Sequence, residues 1–136
     1  MIVECLTTTA DGLPASAYDS ASGTTRDTEY PVTPGRHYAV YGITILHGHA
    51  WYYIHDDDDL DWPIHTPASM FAVIDGHLPT SWIVGYFRFA PDNQRPHISF
   101  PEWASDHYFY ERLVDGDAEA ARVYAIRRAE VEHVEP

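Results

Sequence analysis

The sequence predicts an α+β domain: a strongly bent antiparallel sheet or small barrel, followed by one or two C-terminal helices. Three observations carry that expectation. Residues 37–62, HYAVYGITILHGHAWYYIHDDDDLDW, hold two apolar runs joined by His-Gly-His and closed by a run of acids, the pattern of a hairpin. Ten tyrosines and four tryptophans suit pleated, half-buried surfaces better than helices. From Pro101 onward the apolar spacing changes from strand-like to helical.

In chain order, residues 2–8 (IVECLTT) are β-prone and start the sheet. Residues 9–30 are rich in Ser, Thr, Ala, Asp and Gly and hold little to bury, so a long exposed loop is expected. Pro31 to Gly35 turns the chain into the hairpin. Residues 38–46 are apolar on both faces, with Tyr38, Val40 and Leu46 on one and Ala39, Tyr41, Ile43 and Ile45 on the other. Gly42 in their midst suggests a bulge. Residues 51–54 return, and the acids of 56–61 repel one another too strongly for a strand interior, so a solvated loop follows.

Pro63 and Pro67 confine residues 62–67 to a sheet edge. Residues 68–70 form a single helical turn, 71–74 a short strand, and Asp75-Gly76 a turn. Residues 82–89 read as the last long strand, 90–95 as a polar loop, and 97–100 as a brief β-segment. Pro101 suits a first helical turn, and Trp103, His107, Tyr110 and Val114, with Phe109 and Leu113, form one apolar stripe. Gly116 stops that helix and Asp117 caps a second one over 118–133, whose weaker stripe is Ala120, Val123, Tyr124 and Arg127. At 136 residues, residues 1–136 form a single domain, with 101–136 its helical part.

Charge narrows the function. Eight arginines and no lysine stand against 21 acids, a formal charge of −13. That field repels phosphate backbones and acidic lipids, which excludes nucleic acid and membrane as direct partners, and it steers a basic protein or a cation. With 45 % hydrophobic residues the chain buries a core and is not an acidic disordered tail. Cys5 is the single cysteine and lies in an apolar run, so it reads as a core thiol in a reducing, cytoplasmic setting. No basic-plus-apolar leader opens the sequence and no apolar run nears the roughly 18 residues of a membrane span.

Two clusters invite chemistry. His47, His49, His55 and His65 lie close to five aspartates, and a small metal-dependent enzyme or metal-responsive protein would use His47, His49 and His55. Zinc needs three or four converging ligands, and no second Cys/His cluster completes a known spacing, so no metal or other cofactor is expected. The aspartate run departs from a calcium loop: counted from Asp57, the sixth position is Trp62 and the twelfth is Ala68, where glycine and glutamate are needed. His55–Asp56 and Asp106–His107 are sequence neighbours whose side chains diverge on a strand or helix. With no GxSxG, HExxH, CxxC or phosphate-cradling loop, no catalytic residue is assigned.

The segments VTPGRHYAVYGI, WYYIHDDD and TPASMFAVID resemble the small SH3-like barrels of many bacterial and phage proteins, over residues 32–75. ISFPEWASDHYFYERLVDGD resembles small bacterial proteins, some of the toxin-immunity type. These resemblances imply an SH3-like β-barrel and a non-catalytic immunity-type inhibitor of a basic, cognate toxin. An SH3-like peptide-binding module is the other expectation. On the immunity reading Asp56, Asp57, Asp58, Asp59 and Asp61 supply steering and Arg/Lys contacts, while Trp62, Trp51 and Tyr53 supply apolar anchors.

Overall fold

The computed structural model describes residues 1–10, 13, 25 and 27–133. It is an α+β fold of two antiparallel sheets and three helices. Strands β1 (Ile2–Cys5), β2 (His37–Ala39) and β6 (Phe71–Asp75) form a three-stranded sheet in the order β2-β1-β6. Strands β3 (Gly42–Leu46), β4 (His49–Ile54), β5 (Ile64–Pro67), β7 (Ile83–Ala90) and β8 (Asn93–Ser99) form a five-stranded sheet in the order β5-β4-β3-β8-β7. No closed barrel joins them among the described residues.

The chain passes between the sheets at two corners. At the first, successive residues serve different sheets: the Val40 N–H donates to Met1 O at 3.0 Å, and the Tyr41 N–H to Tyr53 O at 2.8 Å. This break divides the single strand expected over 38–46 and shifts the face each side chain takes. Tyr38 and Val40 enter the core between the sheets and Tyr41 enters the core beneath the helices, but Ile43 returns to the first core instead of following Tyr41. The second corner is a 3-10 turn, Ala68–Met70, whose Met70 is fully buried between the sheets.

Gly42 has a different use from the expected bulge. A Cβ there would lie 3.0 and 3.2 Å from the Trp103 ring, so the glycine admits that indole against the sheet. The His-Gly-His turn forms as read: Leu46 pairs with His49, and His47 (φ 55°) and Gly48 (φ 71°) both take the left-handed conformation of a tight two-residue hairpin. Pro67 lies on β5, a sheet edge, in agreement with its missing donor.

Two expectations downstream fail. Residues 93–99 form one strand paired along β7, so Asn93, Gln94 and Arg95 are not in a polar loop. The single helix expected from Pro101 is two, α1 (Pro101–Ala104) and α2 (Phe109–Val114). Between them the Asp106 carboxylate accepts the Tyr108 N–H at 3.0 Å, a local turn that competes with helix continuation. Helix α3 (Ala118–His133) begins where expected, with Asp117 Oδ1 accepting the Ala120 N–H at 2.9 Å. No helix among the described residues is long and apolar enough to cross a membrane.

The expected exposed loop over 9–30 falls mostly outside the described residues. Its two ends meet, Thr9 bridging to Glu29 and the Tyr30 N–H donating to Thr8 O at 2.8 Å. Ala10 and Leu13 are buried with Trp51, so this segment contributes to the core where little burial was expected.

Candidate partner-binding face

The acidic loop begins where β4 ends, and its first two residues are structural. Asp56 is 7 % exposed, contrary to a fully solvated run. Its carboxylate accepts the Asp58 N–H at 3.0 Å and its carbonyl accepts the Asp59 N–H at 3.0 Å, so one residue closes the turn twice. Burial pushes its carboxyl above the ordinary value.

Asp57 is the opposite case. Its carboxylate accepts hydrogen bonds from Thr33 Oγ1 (2.6 Å), Tyr38 OH (2.7 Å) and Arg36 Nη1 (2.9 Å). Its N–H donates to Pro31 O at 2.8 Å. The Thr33 and Tyr38 hydrogen bonds, with the Arg36 charge, hold its carboxyl below the ordinary range. The loop is thereby tied to the Pro-Gly turn that feeds β2.

Asp57 is itself exposed though engaged, and beyond it the loop forms a rim. Asp58, Asp59, Leu60 and Asp61 are exposed. Asp59 adopts a left-handed φ of 49° and stands 3.8 Å from Arg128 Nη2, while Asp58 and Asp61 have no cation within ion-pair range among the described residues. Asp61 and the half-buried Trp62 line a cavity of about 300 Å³ that the loop shares with α2 and α3, with Tyr124 and Arg128 on its far wall.

Behind the rim, polar side chains link β4 to α3. His55 Nε2 and Tyr124 OH are 2.6 Å apart, Tyr41 OH donates to Glu132 at 3.0 Å, and Arg128 Nε donates to the same carboxylate at 2.9 Å. Burial, and then the Arg128 charge, lower the His55 pKa, so its imidazole stays neutral where a free histidine begins to protonate. The loop therefore rests on a fixed base.

The other two proposed anchors lie elsewhere. Trp51 is 2 % exposed, packs with Ala10 and Leu13, and donates its Nε1–H to Leu46 O at 3.2 Å. Tyr53 is half-buried in the helical layer, 4.7 Å from the Trp103 ring and 5.3 Å from Tyr110. Strand alternation alone turns successive side chains to opposite faces, but both faces of β4 are covered, one by the small sheet and one by the helices.

The histidines do not converge. His47 is exposed at the hairpin tip and His49 is half-buried beside Trp51, whereas His55 sits six positions along the strand, roughly 20 Å away at 3.3 Å per residue. Among the described residues no three His, Cys, Asp or Glu side chains gather to hold a metal. Cys5 is buried, as expected of a core thiol, and burial raises its pKa.

A second cavity, of about 200 Å³, lies between the five-stranded sheet and α1–α2 and was not anticipated. The misplacement of 90–95 as a loop hid it: once 93–99 is a strand, Arg95, His97 and Ser99 alternate onto the helical face with Phe87. No family model matches the chain, and no curated protein or solved structure matches it.

Proposed function

We propose that the chain is a non-catalytic protein-binding domain that meets a basic partner through the rim at 58–61 and the neighbouring Trp62. The single observation that carries this reading is the division of labour in the loop. Asp56 and Asp57 hold the turn, so Asp58, Asp59 and Asp61 are offered outward on a backbone that need not be ordered on binding. A pre-ordered site avoids the entropy of immobilising a loop at the moment of association. Consecutive carboxylates on such a frame match clustered Arg and Lys donors, and the net charge of −13 steers them in.

The sharper form of the proposal is an immunity-type inhibitor whose rim covers the basic cleft of a cognate toxin, on an SH3-like frame. Two features support the SH3-like comparison: the corner after β2 and the 3-10 turn before β6, each of which carries the chain from one sheet to the other. The exposed Leu60 and the half-buried Trp62 supply apolar contact beside the charge, as interface centres require.

The test is capture of partners on the immobilised wild-type chain, repeated with an Asp58→Asn, Asp59→Asn, Asp61→Asn variant. A basic protein retained by the first and lost by the second is the expected outcome. Retention of the same protein by both removes the rim from the interface.

A further inference from the structure

Seven of the eight arginines lie in the described residues, and five of them have a carboxylate within 4.0 Å; Arg88 and Arg95 have none among the described residues. Arg88 is exposed and lies over Tyr86, so water solvates it. Arg95 is half-buried on β8, its guanidinium 4.9 Å from the centre of the Phe89 ring at the wall of the 200 Å³ cavity. In a chain with 21 acids, a half-buried cation without an anion is an incomplete pair, because removing a charge from water costs free energy that a partner normally offsets.

The other walls are rings, those of Tyr53, Phe87, Phe89, Trp103, His107 and Tyr110, with the exposed Glu111 at the mouth. Trp103 is 1 % exposed, and its Nε1–H is buried with no acceptor among the described residues. His97, stacked on Phe87 at 4.7 Å and 1 % exposed, leaves Nδ1 equally without a partner. A buried donor left unpaired is costly, and such groups call for an explanation. Neither nitrogen is open to the cavity, so the charge of a ligand is selected by Arg95 alone.

Size selects the body of the ligand. An apolar cavity of about 150 Å³ holds benzene, so 200 Å³ accommodates one ring with a small substituent. Water alone is a poor occupant, since it needs two to four polar partners and the walls are mostly aromatic. Phe89 and Glu111 are exposed, which opens the cavity to solvent on their side. We infer that this cavity is a binding site for a small single-ring carboxylate, its ring among Tyr53, Phe87, Trp103 and Tyr110 and its carboxylate on Arg95.

The site is separate from the acidic rim, so either reading stands or falls alone. The experiment uses benzoate, with benzamide and benzylammonium as its neutral and cationic counterparts, and follows the thermal midpoint and the backbone amide shifts of the whole chain. Benzoate is expected to raise the midpoint with dose and to shift amides of β8, α1 and α2, while benzamide binds at least about tenfold more weakly. Arg95→Gln should weaken benzoate to the level of benzamide and leave the near-ultraviolet spectrum unchanged. If that variant fails to fold, the comparison of the three probes on the wild-type chain decides alone. Equal affinity for benzoate and benzamide, tighter binding of benzylammonium, or no shift at millimolar benzoate overturns the inference.

Discussion

The acidic loop and the Arg95 cavity handle charge in opposite ways. In the loop, carboxylates outnumber cations, yet the two nearest the fold are fully engaged: Asp57 takes three side-chain hydrogen bonds and Asp56 closes the turn. In the cavity a single cation has rings around it and no carboxylate within ion-pair distance among the described residues, Glu111 standing at the mouth. The difference teaches that the count of charges says little about function here. What matters is which charges the fold has already satisfied. In the loop the unsatisfied ones are exposed and suit a large partner; in the cavity the unsatisfied one is half-buried and suits a small ligand.

The comparison breaks most severely where β7 meets α1, the two elements that hold Phe87 and Trp103. A Cβ at Gly85 would lie 1.7 Å from the Ala104 carbonyl oxygen, so Gly85→Ala must displace α1 from β7. We expect a loss above about 4 kcal/mol, the range reserved for such backbone conflicts, measured by urea unfolding. Trp103→Ala follows at about 3–5 kcal/mol, because its indole is fully buried and fills the space that Gly42 leaves. A mild effect at both positions would mean that the helical layer is not packed as described.

Smaller effects sharpen the loop. Asp56 and Asp57 are neighbours whose carboxyls shift in opposite directions. Asp57 is depressed, so its contribution is present above the unfolded value of about 3.9 and is lost as pH falls through the lower folded value. Asp56 is raised, so stability falls as pH climbs from about 3.9 through its folded value and stays reduced above it. At neutral pH Asp57→Asn should cost about 1–2 kcal/mol. Asp56→Asn should be neutral or stabilising, since the amide oxygen still accepts the Asp58 N–H. Thermal unfolding of both variants across acid to neutral pH reads the difference, and parallel profiles would contradict it.

Much of the architecture is legible in the sequence because it rests on local patterns. The His47-Gly48 turn, the edge position of Pro67, the turn at Ala68–Met70 and the start of α3 after Asp117 all follow from residue types with one dominant backbone use. The missing parts depend on distant partners. Nothing near Val40 signals that its N–H reaches Met1 while the next residue pairs with Tyr53. Nothing near Trp51 says that Ala10 and Leu13 cover it. The acidic rim was visible as charge, but the split between Asp57 and Asp58 was not, because Thr33, Arg36 and Tyr38 lie 24, 21 and 19 positions from Asp57. Arg95 was hidden by its neighbours Asn93 and Gln94, which read as loop with it and stand in a strand.

The least effect is expected at the hairpin tip. Zinc content after dialysis should be the same for the wild-type chain and for His47→Ala with His49→Ala, since these two side chains have no third ligand beside them among the described residues. Stoichiometric zinc that disappears in the variant would restore the metal-dependent reading.

The central claim, that a fixed base presents a charged rim to a basic protein, is tested most directly by association kinetics with the partner captured on the immobilised chain. The rim variant Asp58→Asn, Asp59→Asn, Asp61→Asn is compared with the wild-type chain at low and high salt. The account predicts unchanged folding stability and an association rate reduced by about tenfold or more at low salt. That deficit should shrink as salt shortens the screening length below about 8–10 Å. Equal association rates for the two proteins at low salt would contradict it.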